Sequence, residues 1–126
     1  MPVLLQIAIG GAIGASLRHL LGLQVGRLGG TAFPWGTLAV NLLGSLAMGL
    51  LAALLLPRGP APHPMAPFLM TGLLGGFTTF SAFAFDVFML VERGRAGFAL
   101  AYVAASVMLG LAAFVIGYAA VRAWPW

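Results

Sequence analysis

The centre of the third apolar run of this chain reads TGLLGGFTTFSAF, residues 71–83. Two consecutive glycines, Gly75 and Gly76, are followed by the β-branched pair Thr78 and Thr79. Glycine costs about 1 kcal/mol relative to alanine inside a helix, so this stretch is poor sequence for a continuous helix. We expect a break here, because an interrupted helix is tolerated at membrane depth where it lines a cavity or holds an ion. A glycine-mediated helix contact without a break is the alternative.

The composition around this stretch is typical of a membrane protein. The chain has 126 residues, of which 62% are hydrophobic and 6% are charged, whereas a soluble domain has about 25% charged residues. A small domain buries only about two-thirds of its surface and could not hide so much apolar area from water. A soluble enzyme, a disordered segment and a nucleic-acid binder are therefore excluded, and the sequence predicts an all-α integral membrane protein.

Apolar runs divide the chain into four predicted transmembrane helices within a single domain, residues 1–126. A spanning helix needs about 20 apolar residues. The four runs cover residues 3–23, 36–56, 67–91 and 96–121. The segment 24–35 between the first two runs is predicted to be an interfacial loop. Four helices scarcely enclose a pore with its own lining, so we expect the chain to act as an oligomer.

The arginines leave the predicted orientation in the membrane nearly unbiased. With four spans, one side of the membrane holds Arg58 and Arg122, and the other holds Arg18, Arg27, Arg93 and Arg95. Lysine and arginine placement sets the orientation of a membrane protein, so a split of two against four permits insertion in either direction. A single fixed topology is the alternative.

Polar residues recur at helical spacing inside two of the spans. They are Thr37, Asn41 and Ser45 in the second span, and Tyr102, Ser106 and Gly110 in the fourth. A spacing of four residues places each set on one face of its helix. Such faces form hydrogen bonds and close contacts between helices, or they line a path for a polar substrate. The spacing alone leaves both interpretations open.

A break in the third span would create sites for ions of both signs. Freed carbonyls can coordinate a hard cation such as Na⁺, and the helix N-terminus beyond the break offers N–H groups to an anion. Phe80 and Phe83 share a face there, and their partly positive ring edges could face a small anion, although such a stripe is more often core or lipid-facing. Asp86, the one acid inside a span, is expected to pair with an arginine near a helix end.

No arrangement of residues typical of an enzyme is visible in the sequence. The chain has no cysteine, which excludes thiolate catalysis and cysteine-based metal sites. His19 lies at an apparent helix end and His63 lies in a proline-rich loop, and their spacing suggests no metal site. Phosphate-binding and dinucleotide-binding glycine motifs are also absent.

Two motifs together resemble the Fluc (CrcB) fluoride channels: GTLAVNLLG, residues 36–44, and the third-span stretch, residues 71–83. The first-span motif GGAIGASLR, residues 10–18, is similar too, and the resemblance covers essentially the whole chain. It implies an antiparallel, dual-topology homodimer of four-helix subunits in the inner membrane of a prokaryote, each with its third helix broken. It also implies passive efflux of fluoride, which lowers the toxicity of this ion in the cytoplasm, and no enzymatic activity.

The resemblance also implies roles for individual residues. Backbone carbonyls of Gly75 and Thr78 would hold a structural Na⁺ at the dimer interface. Asn41 would turn its amide toward fluoride, and Phe80 and Phe83 would line the pores. The rest of the implied fluoride pathway consists of Thr37, Thr79, Ser81, Tyr102, Ser106 and Arg18, the last of them at a vestibule entrance.

Two other functions fit part of the pattern. A small proton-coupled multidrug-type exporter shares the four spans, the small size and the dual topology, but it relies on a carboxylate in the first span, where this chain has none. A membrane assembly subunit that transports nothing is the third possibility. The amide of Asn41 in the middle of a span and the glycine-rich stretch of the third span argue against it.

Overall fold

The structure, a computed structural model, describes residues 1–56 and 61–125. Arg58, which contributes to the predicted charge balance, lies outside these ranges. The helices are α1 (Val3–Gly29), α2 (Trp35–Leu55), a π-helix (Pro67–Leu74) that continues into the short α3 (Gly75–Phe77), α4 (Phe80–Glu92) and α5 (Ala96–Arg122). The π-helix, α3 and α4 together form the third span.

The predicted fold class is confirmed, because every regular element in the described ranges is helical. Four segments are long and apolar enough to cross a membrane: Val3–Gly29, Trp35–Leu55, Pro67–Glu92 and Ala96–Arg122. Large apolar side chains cover much of the outer surface of the bundle, as expected for helices that face lipid.

The first helix is longer than its apolar run. It continues past residue 23 to Gly29, so the connection to α2 is shorter than the predicted interfacial loop, residues 24–35. No proline interrupts this extension, and Arg27 in the last turn favours the negative end of the helix dipole. The helix ends where Gly30 adopts a φ of 79°, a conformation that glycine reaches without steric cost.

Glycines bring α1 into backbone contact with the first half of the third span. Gly10 and Gly14 are both buried on α1. A Cβ atom added to Gly10 would lie 2.5 Å from the carbonyl oxygen of Phe68, and one added to Gly14 would collide with the carbonyl oxygen of Leu73. Small residues at this spacing allow helices in lipid to approach this closely. The first-span glycines therefore pack within the subunit.

A second pair of helices, α2 and α5, approaches in the same way. A Cβ atom on Gly49 would meet the carbonyl oxygen of Phe114, and one on Gly117 would meet the carbonyl oxygen of Leu46. The fold is thus built on two close helix pairs, each held at a distance that only glycine permits.

The third span changes its neighbours at its midpoint. The π-helix and α3 pack mainly against α1, whereas α4 packs mainly against α5, and both halves also contact α2. The two residues between α3 and α4, Thr78 and Thr79, lie where this change occurs. We call these two residues the break.

The backbone contact at Gly14 generates a prediction about stability. The substitution Gly14→Ala should lower the free energy of unfolding by about 1–3 kcal/mol, the usual cost of overpacking, because the neighbouring backbone of Leu73 cannot rotate away. The measurement is denaturant-induced unfolding of the purified protein in detergent micelles.

Gly22→Ala on the same helix is the matched control, since no atom of another helix in the described residues lies within 4 Å of the added Cβ position. Here alanine should leave stability unchanged or raise it by up to about 1 kcal/mol through its better helix propensity. Equal effects of the two substitutions would show that backbone contact does not set the distance between the helices.

Candidate ion pathway

The break consists of two extended residues in the middle of the third span. Thr78 has φ −80° and ψ 156°, and Thr79 has φ −149° and ψ 122°. The N–H group and the side-chain hydroxyl of Thr78 both donate to the carbonyl oxygen of Leu74, each at 3.0 Å. These bonds end the first half of the span before the chain turns into α4.

The amide of Asn41 on α2 pairs with the backbone of Thr79. Its Oδ1 accepts a hydrogen bond from the Thr79 N–H at 2.8 Å, and its Nδ2 donates to the Thr79 carbonyl oxygen at 3.0 Å. Thr79 is only 9% exposed. The interpretation of the second-span stripe as a source of hydrogen bonds between helices therefore applies to Asn41, and we call this pair of bonds the Asn41 clip.

The break deprives several carbonyl groups of their helical donors, among them those of Gly75 and Thr78. In a continuous helix the N–H of Thr79 would reach the oxygen of Gly75, and the N–H of Ala82 would reach the oxygen of Thr78. Instead, the Thr79 N–H donates to Asn41, and the Ala82 N–H donates to the side-chain oxygen of Thr79 at 3.1 Å. The two carbonyls that lose these donors are the predicted cation ligands.

Side chains alone offer no comparable cation site. Within residues 1–56 and 61–125, no group of three or more His, Cys, Asp or Glu side chains is placed to hold a metal ion. A cation near the break would thus depend on backbone oxygens, which are ligands that hard cations accept.

Next to the break lies a cavity of about 330 Å³, which we call the inner cavity. It brings together five residues of the predicted fluoride pathway: Asn41, Thr79, Phe80, Phe83 and Ser106. The ring centroids of the two phenylalanines are 5.5 Å apart and the ring planes are tilted by 45°. Residues that the sequence analysis did not assign to the pathway also line it, among them Ser45, Met48 and Phe114.

The polar groups of the inner cavity are neutral. No arginine or lysine lines it. The buried hydroxyl of Ser106 has no hydrogen-bond partner in the described part of the chain. A primary amide carries two N–H donors, and the clip occupies one of those on Asn41. The cavity therefore offers a hydroxyl, an amide hydrogen and aromatic ring edges as weak donors to an anion.

A second cavity, of about 520 Å³, lies on the other side of the break and contains a positive charge. We call it the arginine cavity. It is lined by four other predicted pathway residues, Arg18, Thr37, Thr79 and Ser81, and also by His19 and Phe85. Thr79 lines both cavities, so the break stands between them.

Tyr102 lies behind the inner cavity and is fully buried. Its ring centroid is 5.1 Å from that of Phe83, and its hydroxyl donates to Oδ2 of Asp86 at 3.0 Å. Asp86 thus pairs with Tyr102 and not with an arginine, the partner that the sequence had predicted, because this face of α4 packs against α5. Tyr102 packs against the ring of Phe83 and is absent from the lining of the inner cavity.

Phe33 is a neighbour of this site that the sequence analysis missed. Its ring meets that of Tyr102 edge-on at 5.5 Å and also contacts Trp35 at 4.6 Å. The residue falls in the segment interpreted as a loop, where no helical periodicity marks a buried face. The aromatic pair separated by Pro34 was the one available signal.

Comparison with known proteins gives matches along most of the chain. The family model described as "CrcB-like protein, Camphor Resistance (CrcB)" matches residues 5–118. The chain is 56% identical over 121 residues to a protein of Cereibacter sphaeroides named "Fluoride-specific ion channel FluC", which covers 96% of this chain and 95% of the relative. A protein of the same name from Paracoccus denitrificans is 58% identical over 113 residues, 90% of this chain and 89% of the relative. Another, from Rhodospirillum centenum, is 51% identical over 123 residues, 97% of each chain.

The bond between Tyr102 and Asp86 generates a second prediction. Tyr102→Phe should lower the free energy of unfolding by about 1–3 kcal/mol, because a half-buried carboxyl group loses its donor. Unfolding in detergent micelles measures the change. Tyr118→Phe is the matched control, since that hydroxyl bonds to Arg122 at the exposed end of α5 and should contribute within about 0.5 kcal/mol. Equal losses in the two variants would contradict a structural role for the Asp86 bond.

Proposed function

Because the chain belongs to the CrcB family, we propose that it is a fluoride channel that lets the anion leave the cell down its gradient and so lowers its toxicity. The relatives that match along nearly the whole chain are named fluoride-specific ion channels. The protein is a multi-pass protein of the plasma membrane, and its family is one of channels, not of enzymes. The structural observation that carries the proposal is the inner cavity, a neutral set of donors beside the break.

The chemistry of fluoride explains why neutral donors suit this path. Fluoride is small and strongly hydrated, so a path through the membrane must replace its water with several other donors. Conduction also requires that the ion bind well enough to enter and weakly enough to leave. A lysine or arginine in a dry cavity would hold the anion too strongly. The Ser106 hydroxyl, the Asn41 amide and the edges of Phe80 and Phe83 are weaker donors.

A proton-coupled exporter is not favoured. That mechanism relies on a carboxylate within the first span, and α1 (Val3–Gly29) contains no aspartate or glutamate. Of the two acids in the described spans, Glu92 is the last residue of the third span, and Asp86, inside the same span, accepts a hydrogen bond from Tyr102.

We propose further that two copies associate in antiparallel orientation. Phe80, a predicted pore residue, is 79% exposed in the single subunit, and Gly75 beside the break is also exposed. Non-helical backbone at membrane depth needs cover from protein or a water-filled cavity. A second subunit supplies that cover, and the weak bias of the arginines, two against four, accommodates opposite orientations.

We also propose a structural Na⁺ between the two subunits. The carbonyls of Gly75 and Thr78 have lost their helical donors, and unwound backbone carbonyls are the ligands that membrane proteins use for Na⁺. The bound ion would supply a fixed positive charge that offsets the negative ends of the two interrupted helices. In this role it stabilises the dimer and takes no part in transport.

Fluoride efflux from proteoliposomes tests the channel function and one of its residues. Wild-type protein should show electrogenic fluoride efflux and little chloride efflux, both measured with ion-selective electrodes. Phe80→Ile should reduce the fluoride rate by about tenfold while the oligomer persists in size-exclusion chromatography, because the partly positive ring edge is lost; a factor of ten in rate corresponds to about 1.4 kcal/mol of barrier.

Phe88→Ile is the matched control, since this phenylalanine lies on the same helix, is 59% exposed and lines neither cavity. It should transport fluoride at the wild-type rate. No fluoride release by well-folded wild-type protein would refute the channel function. An unchanged rate in Phe80→Ile would remove this ring from the pathway and leave the channel function standing.

Dual topology is tested by labelling a single introduced cysteine, since the chain has none of its own. In sealed vesicles, a membrane-impermeant thiol reagent should label about half of the Thr31→Cys copies from outside, as expected for unbiased insertion. Ala123→Cys, on the opposite side of the bundle, should also be labelled to about half under the same expectation. Complete labelling of one variant and none of the other would establish a single orientation.

A further inference from the structure

We propose that Asn41 and Thr79 are positioning residues for the cation site, whose side chains keep the carbonyls of Gly75 and Thr78 free of helical hydrogen bonds. This inference rests on the Na⁺ proposed above and adds a specific cause for its site. The observation behind it is an exchange of partners at the break. Two N–H groups that a helix would direct to those carbonyls are bonded to side chains instead.

The first step is a competition for each N–H group. Inside a bilayer no water is present to satisfy a backbone donor, and an unsatisfied donor costs several kcal/mol by typical transfer estimates. If Oδ1 of Asn41 were removed, the nearest acceptor along the chain for the Thr79 N–H would be the carbonyl of Gly75, four residues earlier. The Asn41 side chain thus favours cation binding indirectly. It bonds the Thr79 N–H, which would otherwise compete with the cation for the carbonyl oxygen of Gly75.

The second step repeats this logic one turn later. The side-chain oxygen of Thr79 caps α4 by accepting the Ala82 N–H at 3.1 Å. Without that oxygen, the Ala82 N–H would be directed to the carbonyl of Thr78, and α4 would extend backward through the break. Thr79 is 9% exposed, which limits how far solvent replaces the lost acceptor.

The third step joins the two bonds into one unit. Asn41 bonds to both the backbone N–H and the backbone carbonyl of Thr79. The side chain of Thr79 in turn caps α4. Loosening either side chain therefore allows the helix to close over both carbonyls. Since Asn41 also lines the inner cavity, one side chain links the anion path to the cation site.

A simpler role would be general attachment of α2 to the third span. In that case, removing either side chain would weaken the fold by the same amount whether Na⁺ is present or not. A positioning role predicts instead that the response to Na⁺ itself changes. The experiment must therefore measure the dependence on Na⁺ and not only the stability.

The test is the thermal unfolding midpoint of the full-length protein in detergent, titrated with NaCl against choline chloride at constant ionic strength. Ligand binding to the folded state raises this midpoint as the ligand concentration increases. In Asn41→Ala and Thr79→Ala, the Na⁺ concentration at which the midpoint starts to rise should increase about 10–100-fold, the usual effect of removing a residue that orients a metal ligand.

Two further variants separate positioning from attachment. Thr79→Ser keeps the capping oxygen and should restore the wild-type Na⁺ response. Thr71→Ala, the same substitution on the same span one half-helix earlier, removes a hydroxyl that makes none of these bonds and should leave the response unchanged. If Asn41→Ala does not fold, Thr79→Ala with its serine rescue carries the test alone.

Each outcome decides the question. Lower midpoints that start to rise at an unchanged Na⁺ concentration would show that both residues only attach helices, and would overturn the inference. A wild-type protein that does not respond to Na⁺ would overturn both the inference and the proposed cation. Neither result affects the channel function, which stands or falls with fluoride efflux from proteoliposomes.

Discussion

The hydrocarbon core of a membrane contains no water, so every backbone N–H and C=O placed there needs a partner within the protein. In this chain the requirement is most severe at Thr78 and Thr79, where the third span stops being helical halfway across. The amide of Asn41 satisfies both the N–H and the carbonyl of Thr79, and the hydroxyl oxygen of Thr79 accepts the N–H of Ala82. The cavities on either side, and the change of neighbours along the span, depend on this local solution.

The same break gives one short segment two opposite polarities. The carbonyl end of the first half faces outward at Gly75, while α4 begins with N–H groups and the ring of Phe80. A cation suits the first environment and an anion suits the second. Charged side chains are kept away from the inner cavity, and Arg18 lies in the separate cavity beyond Thr79. If the protein carries ions as proposed, its ion preference follows from where the backbone is interrupted more than from formal charge.

Patterns along the chain predicted much of this arrangement. Apolar runs located the four spans, and Gly75 with Gly76 predicted an interruption that the structure has two residues later, at Thr78. The stripe containing Asn41 identified the face of α2 that bonds to the third span. What the sequence could not reveal were contacts between distant positions. The Thr79 backbone as the partner of Asn41, and Tyr102 as the partner of Asp86, depend on how the helices are arranged in space, which no single helix encodes.

The interleaved order of the helix pairs also constrains how the subunit is assembled during synthesis. The glycine face of α1 packs against residues 67–77, but α2 is synthesised between these two segments. The packing partner of α2 is α5, which is synthesised last. Proteins are synthesised from the N-terminus, so neither close pair can form when its first helix enters the membrane. The third span completes the first pair with its leading half, and its trailing half then waits for the last helix. Because the span is interrupted between those halves, the leading half can pack against α1 before α5, against which the trailing half packs, has been synthesised.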